Sequence, residues 1–254
     1  MNPQLFHIFG SFSVHAYRLL IALGVISVFS LTVKDKSLLT KYKSEDILHI
    51  LSSVILAVFC GARLLWAAEV WQQLPTLWHL FYFWQPGYSV LGGIIGGALY
   101  LLTHLKKDIL FFLDRFAIYI PLGQVFGRIG CFFTGCCYGV QTTVPWAVIY
   151  KHHNNLAPLN IPVHPTQLYS AFLLFCLFTL LYNLRNKALP KGSFAFIYLL
   201  GTSLERFLVD FLRADRTLIV SNLSFMQCVA LGLIGFSFTM LAVTKKIYEQ
   251  NKSF

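Results

Sequence analysis

Seven stretches of this chain are apolar for long enough to cross a lipid bilayer, and no other feature restricts its fold so strongly. They run from His15 to Val33, Ile47 to Ala68, Tyr88 to Thr103, Ile109 to Gly130, Thr166 to Leu184, Ser193 to Leu212 and Leu223 to Thr244. A helix needs about 20 mostly apolar residues to span the hydrocarbon core. The third window is the shortest, and its glycines at 92, 93, 96 and 97 would also suit a broken or re-entrant piece. The runs are unbroken and do not alternate, which argues against a transmembrane barrel. Composition agrees: of 254 residues, 57% are hydrophobic and only 12% charged. The expected fold is an all-α integral membrane protein with seven transmembrane helices, forming a single membrane domain over residues 1–254.

Basic residues set the expected orientation. Lys34, Lys36, Lys41 and Lys43 follow span one, Lys106 and Lys107 follow span three, Arg185, Lys187 and Lys191 follow span five, and Lys245, Lys246 and Lys252 follow span seven. Loops rich in Lys and Arg stay in the cytoplasm. The opposite loops carry Lys151 and Arg216, with Arg213 near the edge. The N-terminus, the segment 131–165 and the end of span six are therefore expected outside, and the C-terminus in the cytoplasm. The opening MNPQLFHIFGSFSV contains no Lys or Arg, unlike a cleaved signal peptide, and is expected to stay in the mature chain. Topology and contact with anionic membrane lipid account for much of the formal charge of +10, so no nucleic-acid partner is expected. The segment 131–165, with Pro145, Pro158, Pro162 and Pro165, reads as a small outer-face cap between spans four and five.

Charges inside the windows ask for a reason, since an arginine at a helix centre costs about 2.5 to 3.5 kcal/mol on insertion scales. Arg63 lies deep in span two, Arg128 near the outer end of span four, and Arg206, Asp210 and Arg213 in span six, spaced four and three as on one helix face. A purely structural account has Asp210 bridging Arg206 and Arg213 while Glu69 answers Arg63. The other account starts from a cationic excess at one depth, with only Glu205 and Asp210 nearby. Guanidinium forks there suit a phosphate, to which they donate two parallel hydrogen bonds without ever losing their charge.

Gly123, Gly127 and Gly130 are spaced four and three, which lets a backbone or a lipid headgroup come close. Gly135 and Gly139 read as turn residues. Cys60, Cys176 and Cys228 sit in apolar spans as small core residues, whereas Cys131, Cys136 and Cys137 fall on the expected outer side. Three readings of those thiols stay open: a disulfide from Cys131 to Cys136 or Cys137 that braces the cap, a tetrahedral metal site, or a thiol that acts on lipid or substrate. A metal would require a fourth ligand such as His152, His153 or His164, and the spacing matches no standard zinc motif, so no metal or other cofactor is expected.

The run IPLGQVFGRIGCFFTGCCYG, residues 120–139, resembles the signature of bacterial prolipoprotein diacylglyceryl transferases. VHAYRLL from Val14, Gly61-Ala62-Arg63, GYSVLGGIIGG from Gly87, HPTQLYS from His164 and ERFLVDFLRAD from Glu205 resemble further family segments in the same order, so the likeness covers nearly the whole chain. It implies a multi-pass enzyme of the bacterial cytoplasmic (inner) membrane. Such an enzyme moves the diacylglyceryl group of phosphatidylglycerol to the lipobox cysteine of a prolipoprotein and releases glycerol phosphate. Carried onto this chain, it implies Arg128, Arg206, Tyr17 and His164 as catalytic. It further implies Arg128, Arg206, Arg213, Arg63, Gly92, Gly93, Gly127, Gly130 and Cys131 as phospholipid-binding. The chain departs from the family pattern at Leu91 (His), Cys131 (Asn) and Ser170 (Glu). The lost histidine leaves Tyr17, His15, His164 and the three thiols as replacements. It also keeps two alternatives in view: a related enzyme with another acceptor, and a non-catalytic lipid-binding or thiol-redox membrane protein.

Overall fold

The computed structural model describes residues 4–8, 12–73, 77–82, 87–153, 155–220 and 222–252. It is helical almost throughout: α1 (Ala16–Val33), the short α2 (Lys36–Leu39), α3 (Ser44–Glu69), α4 (Val90–His104), α5 (Ile109–Thr134), α6 (Thr166–Leu184), α7 (Ser193–Asp210) and α8 (Phe225–Lys252). Three two-stranded pieces complete it, pairing β1 (Gln4–Ile8) with β2 (Phe12–His15), β3 (Val148–Ile149) with β4 (Pro162–Val163), and β5 (Leu218–Val220) with β6 (Leu223–Ser224), all antiparallel.

Five of these helices, α1, α3, α5, α6 and α8, are long and apolar enough to cross a membrane, and α4 is a shorter apolar helix. α7 has the length but carries the charges of Glu205, Arg206 and Asp210. α4 is one continuous helix, not the broken piece its glycines also allowed. Many large apolar side chains point outward, among them Leu56, Leu64, Val90, Ile94 and Phe172. A soluble monomer does not expose apolar surface on that scale, whereas lipid covers it without penalty.

The chain groups into two compact units, Met1–Thr32 with Leu113–Phe254, and Val33–Phe112. In the first, Val28 of α1, Ile118 and Tyr119 of α5, Leu177 and Leu181 of α6 and Phe194 of α7 form the core. α5 is the most buried of the five long helices. It carries two charges that the apolar windows hid, Asp114 and Arg115, both buried. Asp114 accepts hydrogen bonds from the main-chain N–H groups of Gly192 and Ala195, so a carboxylate on α5 caps the start of α7. The first turn of a helix has N–H groups with no partner of their own, and in lipid nothing else would satisfy them. Arg115 donates to the carbonyl of Arg185, past the end of α6, at 2.9 Å.

In the second unit, α3 and α4 are in backbone contact. A Cβ on Gly92 would lie 2.3 Å from the carbonyl oxygen of Gly61, and one on Gly96 2.3 Å from that of Ala57. The double glycine at 92 and 93 is thus accounted for by helix packing: Gly92 meets Gly61, and Gly93 faces Val58. Arg63 is buried in this unit, where it donates to the carbonyls of Leu80 (3.3 Å), Gly87 (2.7 Å) and Tyr82 (3.0 Å) and lies over the Trp66 ring. It ties the segment after α3 to that helix, while Glu69 accepts from the Ser89 hydroxyl.

Gly92→Ala gains up to about 1 kcal/mol of helix propensity but must push a backbone aside, at a cost of about 1 to 3 kcal/mol. The clash therefore wins, and Gly92→Ala is expected to lower the thermal unfolding temperature in detergent. Gly232→Ala on α8, where a Cβ meets nothing within 4 Å, is expected to leave it unchanged or slightly raised. Equal unfolding temperatures for the two variants would contradict the close α3–α4 approach.

Candidate active site

The polar groups of the first unit converge where α5 and α7 end and α8 begins. Arg128 projects from the last turns of α5 and meets Glu205 of α7 at 3.9 Å. One turn of α7 further along, Arg206 pairs with Asp210 at 3.2 Å. The other Asp210 oxygen accepts from the Ser224 hydroxyl. Ser224 is the N-cap of α8, and with Gln227 it forms a capping box: the Gln227 N–H reaches the Ser224 hydroxyl at 3.1 Å, and the Ser224 N–H reaches the Gln227 side chain at 2.9 Å. One carboxylate thereby links the end of α7, the start of α8 and a guanidinium.

The even stripe expected along span six does not form. α7 stops at Asp210, and Arg213 lies beyond it in a turn whose backbone bridges to Gly139. Its fork closes on Asp215 through Nε at 2.8 Å and Nη2 at 2.6 Å. Asp210 therefore does not bridge Arg206 and Arg213, because the two arginines have separate acids. The hydrogen bonds from Arg213 hold the Asp215 carboxyl below its ordinary range, and the same carboxylate, against the cost of burial, holds Arg213 above its own.

The cationic excess is smaller than the sequence suggested, since Asp215 joins Glu205 and Asp210 around the three guanidinium groups. It is also unevenly shared. Arg213 is closed on Asp215 and Arg206 has a close partner, but Arg128, three-quarters buried, has only the 3.9 Å contact and no hydrogen bond among the described residues. A guanidinium carries five N–H donors, so most of the donor capacity of Arg128 is unused by protein.

Beside these arginines lies a turn dense in sulfur. α5 ends on Gly135, whose φ of +76° is a left-handed conformation suited to glycine and whose N–H returns to the Cys131 carbonyl at 2.9 Å. Two residues later Cys137 also has a positive φ, +59°, a strained state costing about 1 to 3 kcal/mol in a residue with a side chain. Neighbouring structure holds it there. Thr166 and Gln167, in the first turn of α6, donate to the carbonyls of Cys137 and Cys136, each at 2.7 Å. Buried Tyr150 donates to Phe132 at 3.1 Å, and its own hydroxyl is pushed up to about 12, mainly by burial.

The disulfide reading of this turn is not realised: Cys131, Cys136 and Cys137 are free thiols, with sulfurs all within 4.8 Å of one another. Hydrogen bonds from Cys131 and then Cys136, with the charge of Arg213, hold Cys137 well below the usual thiol range, while Cys136 is pushed up. Tyr17, at the start of α1, packs against Gly130.

Several other candidates sit elsewhere. His164 belongs to the segment after α5, where its N–H donates to Val140, its carbonyl accepts from Gly139, and its Nδ1 lies 3.2 Å from the Tyr169 hydroxyl. The His15 side chain lies outside the described residues. Arg63, Gly92, Gly93 and the exposed Leu91 belong to the other unit. Ser170 is fully buried on α6. Sequence reasoning missed Asp215, the Ser224–Gln227 box and the Thr166–Gln167 clamp. Of these, only the box had a local signal, Ser-x-x-Gln before an apolar run.

A cluster of arginines around an acid-linked helix junction, next to a thiol-rich turn, thus sits in a protein with five helices long and apolar enough to cross a membrane. The chain belongs to the prolipoprotein diacylglyceryl transferase family, whose sequence pattern it matches over residues 3–243. Relatives include the phosphatidylglycerol–prolipoprotein diacylglyceryl transferase of Clostridium tetani, 34% identical over 237 residues that cover 92% of this chain and 94% of the relative. A second from Clostridium perfringens is 33% identical over 92% of both chains, and one from Bordetella bronchiseptica is 30% identical over 89% of this chain and 88% of its own.

The glycines of α5 differ in a way that can be measured. A Cβ on Gly130 would come within 3.0 Å of the Tyr17 ring, whereas one on Gly127 meets nothing within 4 Å. Gly127→Ala is expected to leave stability unchanged or raise it by up to about 1 kcal/mol, and Gly130→Ala to destabilise measurably. Thermal unfolding of the purified variants is the check.

Proposed function

We propose that this chain transfers the diacylglyceryl group of phosphatidylglycerol to the lipobox cysteine of a prolipoprotein and releases glycerol phosphate. The observation that carries the reading is the Arg128 guanidinium, three-quarters buried on a family signature and left with unused donors. The relatives' names support the choice of substrates.

In this reading the acceptor sulfur attacks the sp³ glycerol carbon while the phosphate ester departs. Arg128 and Arg206 bind the phosphate and stabilise the charge that grows on it as the carbon–oxygen bond breaks. Arg213, already closed on Asp215, positions the turn beside them. Gly127 gives the headgroup close access to α5, and Gly130 lets Tyr17 approach. Cys131 borders the bound phospholipid. Tyr17 and His164 are the candidate proton acceptors, with Tyr17 nearer the sulfurs. Arg63, Gly92 and Gly93 stay phospholipid-binding candidates within their own unit, besides their packing duties.

The seven helices α1 and α3 to α8 are read as seven membrane spans. Residues 131–165 then form a cap on the outer face of a bacterial cytoplasmic membrane, with the N-terminus outside and the C-terminus within. The basic residues after α1, α4, α6 and along the end of α8 support this orientation. A C-terminal tag is expected to react with an impermeant reagent only after the membrane is opened, and a tag near Asn154, which lies outside the described residues, from outside intact cells. Labelling of both tags from the same side would sink the assignment.

The test of function is mass spectrometry of a lipobox peptide incubated with phosphatidylglycerol and membranes that carry the protein. The added diacylglyceryl mass is expected. Lipid consumption without peptide modification would instead favour another acceptor, in keeping with Leu91 and Ser170, and inertness a binding protein. Arg128→Lys keeps the charge but loses the two-pronged contact, and is expected to lower transfer by about 10² to 10³ at unchanged membrane levels. Arg216→Gln is the control. Arg216 is exposed and donates only to the Phe211 carbonyl, and its loss is expected to be nearly silent.

A further inference from the structure

Cys136 and Cys137, on one strained turn, have no part in the phosphate chemistry above, and Cys131, in the last turn of α5, only borders the phospholipid. We propose that Cys131, Cys136 and Cys137 form a three-thiolate site for one thiophilic divalent cation of the zinc type, whose fourth coordination position takes the acceptor's cysteine thiol. The inference rests on the transfer reading and deepens it.

Geometry is the first argument. With a zinc–sulfur bond of about 2.3 Å, two sulfurs on one tetrahedral ion lie about 3.8 Å apart. The three sulfurs here already lie within 4.8 Å of one another, so small side-chain rotations bring them onto a common ion. The second argument is preorganisation. Neighbouring cysteines at 136 and 137 would ordinarily point apart, but the positive φ at Cys137 turns the chain so that both face Cys131. Thr166 and Gln167 lock that turn through its carbonyls. The third is the donor count. Among the described His, Cys, Asp and Glu side chains only these three make up the cluster, so a tetrahedral ion keeps one place for an outside ligand. Three protein ligands plus one exchangeable position is the pattern of a catalytic zinc site, whereas structural sites are closed by four.

Chemistry then connects this site to the arginines. A thiol that binds such an ion is deprotonated outright, which supplies the nucleophile that the loss of the family histidine at Leu91 leaves unaccounted for. The step balances without any redox change. The acceptor thiol releases its proton to solvent on binding. Its sulfur lone pair forms the bond to the glycerol carbon, and the carbon–oxygen bond breaks, its electron pair leaving on the phosphate oxygen of glycerol phosphate beside Arg128 and Arg206. The product thioether is uncharged, binds the cation less tightly than the thiolate it replaces, and dissociates. Arg128 and Arg213 lie on the sulfur side of the site, where their charges offset those of the thiolates.

The experiment uses the full chain purified in detergent without chelator. Elemental analysis is expected to find about one zinc per chain in the parent and in a Cys60→Ser/Cys176→Ser/Cys228→Ser variant, and to find it lost in Cys136→Ser and in Cys137→Ser. In case those two variants misfold, the parent is also stripped by chelator and reloaded with Co(II). The sulfur-to-cobalt absorption is expected to rise when a lipobox peptide is added and to stay unchanged with its Cys→Ser analogue. A parent that takes up neither metal, or whose intact mass is two hydrogens low with a pair of thiols blocked until reduction, overturns the site. Metal uptake with a spectrum indifferent to the peptide's cysteine overturns the acceptor position. Transfer by metal-free protein sinks this inference and leaves the proposed function standing. Peptide binding at the metal without transfer from phosphatidylglycerol does the reverse.

Discussion

The carboxylate of Asp210 holds the polar half of the molecule together. It is fully buried, pairs with Arg206 through one oxygen and accepts the Ser224 hydroxyl through the other. Ser224 in turn starts α8, so the same side chain fixes where one helix ends and the next begins. An ion taken out of water is costly unless it is paired, and this one has a charge 3.2 Å from one oxygen and a capping hydroxyl on the other. The arrangement gives Arg206 a fixed direction, while Arg128 and Arg213 answer to Glu205 and Asp215. Removing Arg206 would leave an uncompensated carboxylate in the interior.

Helices were legible in the sequence because each had to satisfy its own backbone away from water, and an apolar run of the right length leaves the chain few other choices. The window Thr166 to Leu184 matches α6 residue for residue, and Ile109 correctly starts α5. The ends were less legible. α5 continues to Thr134, four residues beyond its window, because Gly135 is the first residue placed to end it. α7 stops at Asp210, short of Leu212, because the chain there turns toward Gly139 and Ser224. Charged residues blur hydropathy without ending a helix, and a turn made by distant partners leaves no local trace.

At the site, residue types were legible and pairings were not. Arg128, Arg206 and Arg213 stood out because their cost in an apolar window demanded a reason. That Arg213 closes on Asp215 depended on where the helix stopped, which the regular spacing of Arg206, Asp210 and Arg213 concealed. Asp114 escaped notice for the opposite reason: it lies in a long apolar run, and its duty is to N–H groups at Gly192 and Ala195, far along the chain. The thiols were visible as a cluster in sequence, but a disulfide, a metal site and a reactive sulfur predict the same three letters. The structure adds that the three sulfurs share one place, within 4.8 Å of one another.

The clamp on the thiol turn also sets an order of assembly. The carbonyls of Cys136 and Cys137 are held by side chains 31 and 29 residues downstream. At a synthesis rate of about 5 to 20 residues per second, those partners leave the ribosome about 2 to 6 s after the cysteines do. During that interval the three sulfurs exist without the turn that aligns them, and wrong pairing among them has its best opportunity. The growing chain therefore meets its redox surroundings with the three thiols not yet held in their turn, and α6 must arrive before the clamp can close on them.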